Sequence, residues 1–169
     1  MTRARLERKE KRFPIAQRFG LAAMLPFLAA TGCATTMSTT TGGPPPAAVF
    51  TPSEGELPFS PVVRAGPMLY LSGQIGTTSM TPPTLVSGGI EAETRQTLEN
   101  IKAVLAKSGA TMDDIVKCTV MMADMREWPA MNPVYASYFP KHKPARSSFG
   151  TSGLALGARV EIECLAYKP

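Results

Sequence analysis

Apolar side chains recur at three- and four-residue intervals between Gly89 and Lys107. Ile90, Leu98, Ile101 and Leu105 fall on one stripe with Thr94, while Glu91, Glu93, Arg95, Glu99 and Lys102 lie off it. This period predicts an amphipathic helix over residues 89–107 with one face against a core. Acidic residues at its front suit the helix dipole, and Gly109 suits its stop. Residues 114–124 (DIVKCTVMMAD) alternate instead. The alternation predicts a strand with Val116, Cys118, Val120 and Met122 on one face. Residues 159–168 (RVEIECLAYK) alternate more clearly. Val160, Ile162, Cys164 and Ala166 point one way; Glu161, Glu163, Leu165 and Tyr167 point the other.

Weaker patterns fill the gaps. Met68 to Ser72 is a short apolar run between Gly66-Pro67 and Gly73, which reads as a strand bounded by turn residues. Residues 77–89, rich in Thr, Ser, Pro and Gly, read as a loop with a short strand at Leu85-Val86. Residues 129–139 read as a second helix, with Met131, Tyr135, Tyr138 and Phe139 inward and two prolines in its first turn. Residues 146–150 read as a further strand. Strands, helix, strand, helix and two strands in that order predict an α+β layer with helices on one face of the sheet. The second face of the last strand is mixed, with carboxylates beside Leu165 and Tyr167. Self-association and a ligand cleft are the two uses such a face suggests.

The chain has 169 residues, enough for one domain and a tail. Its formal net charge is +5, from 18 Lys+Arg and 13 Asp+Glu. A basic balance of this size points to a polyanionic partner only if it lies on the folded part. It does not. Residues 1–32 hold seven basic and two acidic side chains, 7 − 2 = +5; residues 33–169 hold the other 11 of each sign and sum to zero. The basic start, the 13-residue uncharged run from Phe19 to Thr31 and the Gly32-Cys33 exit have the layout of a secretory signal. The run is well short of the roughly 20 residues of a membrane-spanning helix. Residues 34–56 are rich in Thr, Pro and Gly, without periodicity, and read as a tether stiffened at Pro44-Pro45-Pro46. Order is expected from about Leu57. The expected organisation is a signal peptide at 1–32, an anchor and tether at 33–56, and a folded domain at 57–169.

Few side chains in that domain suit chemistry. His142 lies in a basic loop with no visible partner and reads as a solvated surface residue. The sequence has no HExxH motif and no Cys/His cluster, so no metal site is expected. Cys118 and Cys164 read first as small buried hydrophobes, with pairing left open. What remains is Arg146 with Glu161 and Glu163. A guanidinium on a strand is a fork for a carboxylate, and Glu161 is placed to take a proton from water. An internal Arg–Glu ion pair is an equally good reading of the same residues.

Five segments in order resemble one family: 70–75 (YLSGQI), 94–103 (TRQTLENIKA), 114–117 (DIVK), 144–147 (PARS) and 160–163 (VEIE). They resemble the RidA (YjgF) family of imine deaminases over about residues 58–169. The resemblance implies a chorismate-mutase-like fold, a mixed sheet with two helices on one face. It implies a homotrimer whose sheets pack into a central barrel, with active clefts between subunits. The implied reaction is hydrolysis of small 2-imino acids, tautomers of enamines such as 2-aminoacrylate, to 2-oxo acids and ammonia. Arg146 would bind the substrate carboxylate and Glu161 would orient or activate water. Ser72 and Gly73 would line the pocket, with Asn132 from the second helix. No metal or organic cofactor is implied. Residues 28–33 (LAATGC) resemble the bacterial lipobox, in which Cys33 would be lipidated. That implies a periplasmic lipoprotein bound to membrane only through its N-terminal lipid and, with Ala34 next, at the outer membrane.

The chain departs from the family pattern in places. Where a Tyr commonly follows a Gly-Pro, this sequence is read as carrying Pro61-Val62. Ser148 stands for a frequent Cys and Phe149 for a common Val. A non-catalytic, envelope-anchored trimer that binds small carboxylates is the alternative; turnover of any imine, abolished in Glu161→Ala, would count against it. Endoribonuclease activity is attributed to some relatives. The neutral balance of residues 33–169 argues against nucleic acid, because phosphate affinity needs clustered Lys and Arg.

Overall fold

A computed structural model describes residues 43, 46–53, 55 and 57–169. The expected signal peptide and Cys33 lie outside the described residues. Chain order runs through β1 (Val49–Phe50), β2 (Val62–Ala65), β3 (Met68–Leu71), β4 (Gln74–Ile75), β5 (Thr77–Met80) and β6 (Pro83–Leu85). Then follow α1 (Gly89–Lys107), β7 (Ile115–Met122), α2 (Trp128–Ser137), β8 (Ala145–Gly150) and β9 (Val160–Tyr167). The main sheet runs β1-β2-β3-β9-β7-β8, and β4 also pairs with β9. Only β7 and β8 are parallel, so the sheet is mixed. Helix α2 is the crossover between those two strands, as a parallel pair requires.

One face of the sheet carries both helices. The α1 stripe forms as its spacing predicts: Thr94, Leu98, Ile101 and Leu105 are fully buried. They meet Val120, Met122, Val160, Ile162 and Ala166 from the alternating strands, also fully buried. Glu93 is buried at the same interface and accepts the Arg159 backbone N–H at 2.8 Å. This contact fixes the start of β9 beneath the helix. Asn100 of α1 donates to the carbonyls of Ile75 and Thr77, each at 2.9 Å, and so holds β4 against the same helix.

Three local readings change, and one left open is decided. Val116 is 45% exposed rather than inward. A register shift between Ile115 and Lys117 inserts one extra residue against β9, and Ile115 takes the buried place. Residues 77–85 form a separate two-stranded ribbon, β5 and β6, where a loop with a short strand at Leu85-Val86 was expected. Val49 and Phe50, inside the stretch read as tether, pair with Val63 and Arg64 on the otherwise open edge of β2. Cys118 and Cys164 are both buried, as expected of small hydrophobes, and they are joined in a disulfide between β7 and β9.

Candidate active site

The two candidate catalytic side chains do not meet within one chain. Arg146 is the register partner of Cys118, and Cys118 of Cys164, so all three project on the helix face. Glu161 lies three residues before Cys164 in the same strand and therefore projects on the opposite face. Two half-sites result, back to back across the sheet.

The first half-site lies under α2. The Arg146 guanidinium stacks over the rings of Tyr135, 4.6 Å from the centroid, and Trp128, 5.6 Å away. Trp128, Asn132 and Tyr135 follow helical spacing, so Asn132 belongs to the stripe that faces the guanidinium. Neither Arg146 nor Asn132 makes a side-chain hydrogen bond or ion pair among the described residues. Two more polar atoms here are buried without a partner among the described residues, the Tyr135 hydroxyl and the Ser148 Oγ. Burial pushes the Tyr135 phenol up to about 12, against a smaller opposing effect of the Arg146 charge. It stays a neutral donor at physiological pH. The arrangement suits a carboxylate: aromatic rings fix the fork, and its N–H groups remain free. The internal Arg146–Glu161 ion pair considered from the sequence is absent. Trp128 escaped the sequence reading because nothing in its spacing ties it to a residue 18 positions on.

The second half-site lies on the open face. Glu161 is half-buried beside β4, paired in register with Ile75. Gly73 makes room for it: a Cβ at Gly73 would lie 2.0 Å from the Glu161 Oε1. Among the described residues no donor bonds the carboxylate. Burial, and then repulsion from Glu163, holds its pKa above the ordinary carboxylate value. A carboxylate with no internal donor and a raised pKa is suited to take a proton from water. Ser72 is adjacent, but its hydroxyl is committed to the Ser60 carbonyl at 2.7 Å. Glu161 and Gly73 open onto a cavity of about 720 Å³ that Phe59 also lines. Val62 is 2% exposed, with its side chain in the core, whereas Phe59 is 48% exposed after Pro58. The aromatic residue beside the carboxylate is therefore Phe59. Counting from Pro61 put the sequence reading three residues too far along.

The open face also carries exposed aromatic side chains, among them Tyr70, Phe149 and Tyr167. Among the described residues no group of His, Cys, Asp and Glu could hold a metal ion. Also among the described residues, no helix is long and apolar enough to cross a membrane.

Comparison with known proteins bears on the family and the fold. Residues 52–168 match the family described as Endoribonuclease L-PSP. A RutC family protein of Pyrococcus horikoshii is 43% identical over 111 residues, 66% of this chain and 87% of that protein. The 2-iminobutanoate/2-iminopropanoate deaminase of Homo sapiens is 38% identical over 113 residues, 66% of this chain and 80% of that protein. The crystal structure of yeast Mmf1 superposes with a TM-score of 0.65 at 34% identity, covering 73% of this chain and all of that one.

Proposed function

The chain belongs to the endoribonuclease L-PSP family, the RidA (YjgF) family that its motifs resemble, and from that membership we propose that it hydrolyses 2-imino acids to 2-oxo acids and ammonia. Relatives that carry the name 2-iminobutanoate/2-iminopropanoate deaminase align at 37–42% identity. The observation that carries the reading is Glu161, a half-buried carboxylate with a raised pKa, set against Gly73 at the edge of a cavity.

The chemistry asks little of the protein, since an imine carbon is already electrophilic. Arg146 grips the substrate carboxylate while Glu161 orients a water against the imine carbon. As the water oxygen bonds to that carbon, the C=N electron pair moves to nitrogen, which is protonated, and Glu161 takes the water's proton. The proton on Glu161 then passes to the amino nitrogen, the carbinolamine hydroxyl releases its proton to solvent, replacing the one solvent gave to the imine nitrogen, as the C=O forms, and the C–N bond breaks to free ammonia. Imine and water become oxo acid and ammonia, and the carboxylate is restored. Asn132 and the Tyr135 hydroxyl are further donors on the Arg146 side.

Because Arg146 and Glu161 project from opposite faces, the site joins Arg146 of one copy to Glu161 of another. The assembly we propose is the family homotrimer, with sheets packed into a central barrel. Its support is that split and the exposed Tyr70, Phe149 and Tyr167 on the face that packs. We also propose export, by the signal segment, and anchoring through a lipid on Cys33. The buried Cys118–Cys164 disulfide is in keeping with an oxidising compartment. Fatty-acid labelling of cells expressing wild type or Cys33→Ala tests the anchor; absence of label from both ends it.

The test of the activity is imine loss. An amino-acid oxidase generates the imine, the purified protein is added, and the remaining imine is trapped and measured. Wild type accelerates the loss and Arg146→Ala does not. Equal rates for the two would end the proposal.

A further inference from the structure

Arg146, Cys118 and Cys164 form one row across three strands. Cys118 is in register with Arg146 on β8 and with Cys164 on β9, and all three side chains project on the helix face. Neighbouring strands of a sheet lie about 4.8 Å apart, so the Arg146 stem stands directly beside the disulfide. Within one chain β8 is an edge strand, with β7 as its one neighbour. Two things therefore place the guanidinium: the rings of Tyr135 and Trp128, and Cys118 at its flank.

That flank is fixed covalently. The disulfide joins Cys118 to Cys164 across Cα atoms 4.1 Å apart, and both residues are buried. The rows on either side, Val120 with Ile162 and Ile115 with Ala166, are buried too. Two separate thiols need more room than a bonded pair, and a close-packed core has none to give along the strands. Room exists toward the β8 edge, where the half-buried Arg146 lies. Reduction therefore displaces the Arg146 stem and the fork with it. The ladder between β7 and β9 continues on both sides of the cysteines, so the strands stay paired without the link.

We propose that the Cys118–Cys164 disulfide is a positioning element for Arg146, so that the chain binds a carboxylate well when oxidised and poorly as the dithiol. The inference rests on the deaminase reading above for the role of Arg146. A newly made chain in a reducing compartment would hold the fork out of place, and oxidation after export would set it. Losing one of the two charge-assisted hydrogen bonds of an Arg–carboxylate pair weakens binding roughly 10-fold or more.

Trp128 is the one tryptophan of the chain, and its ring lies 5.6 Å from the Arg146 guanidinium, so its fluorescence reports on the fork. Full-length protein is titrated with propionate in three states: oxidised, reduced with dithiothreitol and desalted without oxygen, and reoxidised. Reduction breaks the S–S bond with two electrons and two protons from the dithiol, which closes to its own disulfide; titratable thiols should rise by two per chain. The propionate Kd should rise about 10-fold on reduction and return on reoxidation, with the mass by light scattering unchanged. Dithiothreitol should leave the Kd of Cys118→Ala/Cys164→Ala unmoved. In imine-loss assays that double variant should show KM raised about 10-fold and kcat within about 2-fold of wild type, because the fork binds ground state and transition state alike. An equal Kd in the oxidised and reduced states, unfolding of the reduced chain, a loss of binding that follows dissociation of the assembly, or a fall in kcat without a rise in KM would overturn this proposal and leave the deaminase reading standing. Redox-dependent propionate binding without turnover of any imine would end the deaminase reading and leave the positioning role in place.

Discussion

Replacing Gly73 by Ala adds one methyl group where the Glu161 carboxylate now lies. The new Cβ would sit 2.0 Å from Oε1, 2.9 Å from Cδ and 3.1 Å from Cγ. Gly73 does not have a left-handed φ, so the backbone itself accepts alanine. The clash is with the far end of a flexible side chain. Restoring an ordinary contact of about 3.4 Å needs Oε1 to retreat by roughly 1.4 Å, which the Glu161 torsions supply at little cost in stability. The water it is proposed to position would be displaced with it. A misplacement of about 1 Å in an oriented reaction costs about 100-fold, or about 2.7 kcal/mol of barrier. The loss should fall on kcat. KM should stay within a few-fold, because the Arg146 half-site is untouched.

Gly76→Ala separates this effect from simple crowding. A Cβ there would lie 3.0 Å from both the Cα and the carbonyl oxygen of Glu93, which is α1 backbone and cannot swing aside. That variant should lose about 1–3 kcal/mol of stability and keep its kcat in the folded fraction. Imine-loss kinetics and thermal melts on both proteins check the pair. Gly73→Ala with wild-type kcat, or with a loss matched by Gly76→Ala at equal destabilisation, would refute the placement of the water on Glu161.

Glu163→Gln removes the like charge beside Glu161, so the Glu161 pKa should move down toward its ordinary value and the acid limb of kcat/KM should shift to lower pH. A pH–rate profile shows this, and an unmoved limb would mean another group titrates there. Glu161→Gln should abolish turnover yet melt no lower than wild type at neutral pH. Its pKa is raised on folding, so the native chain binds that proton more tightly than the unfolded one; the stabilisation is fully present below the unfolded value and is lost as pH rises through the folded value. Glutamine never ionises, so its advantage at neutral pH should shrink in acid, and a neutral-pH midpoint below wild type would contradict the assignment. Replacing Cys118 and Cys164 together by alanine opens a link across 46 residues of chain and should cost about 4 kcal/mol by chain entropy. Denaturant titration of the oxidised wild type against the double variant measures that difference.

The sequence made some of this legible and hid the rest for physical reasons. Residues 89–107 and 159–168 carry strong single periods because each packs one face on the core, and both elements appear as read. Val116 was misplaced because a bulge breaks the two-residue period, and nothing in the string marks it. β1 has only two residues and owes its existence to a free edge on β2, a tertiary fact. Phe59 was passed over because Pro58 and Pro61 offer the same local cue three residues apart. The separation of Arg146 from Glu161 was half visible: alternation put Glu161 away from the helices. The face of Arg146 follows only from its parallel register with Cys118, since residues 145–150 (ARSSFG) do not alternate in polarity.

That separation explains why the open face of β9 mixes charge with apolar surface. A face that only packs against other copies would be expected to be apolar, and Leu165 and Tyr167 fit that expectation. Glu161 and Glu163 do not. Each carboxylate buried in an assembly costs stability unless it is paired, and among the described residues neither has an ion-pair partner. On the proposed function that cost is met at Glu161 because ionisation there would be needed for the reaction, and Gly73 leaves room for the group. Glu163 raises the pKa of Glu161 without touching the substrate-binding fork on the other face. The sheet thus works as a divider. On the proposed function, its helix side would bind the unreactive carboxylate of the substrate through Arg146, its open side would activate water, and reaction would require a second copy to complete the site.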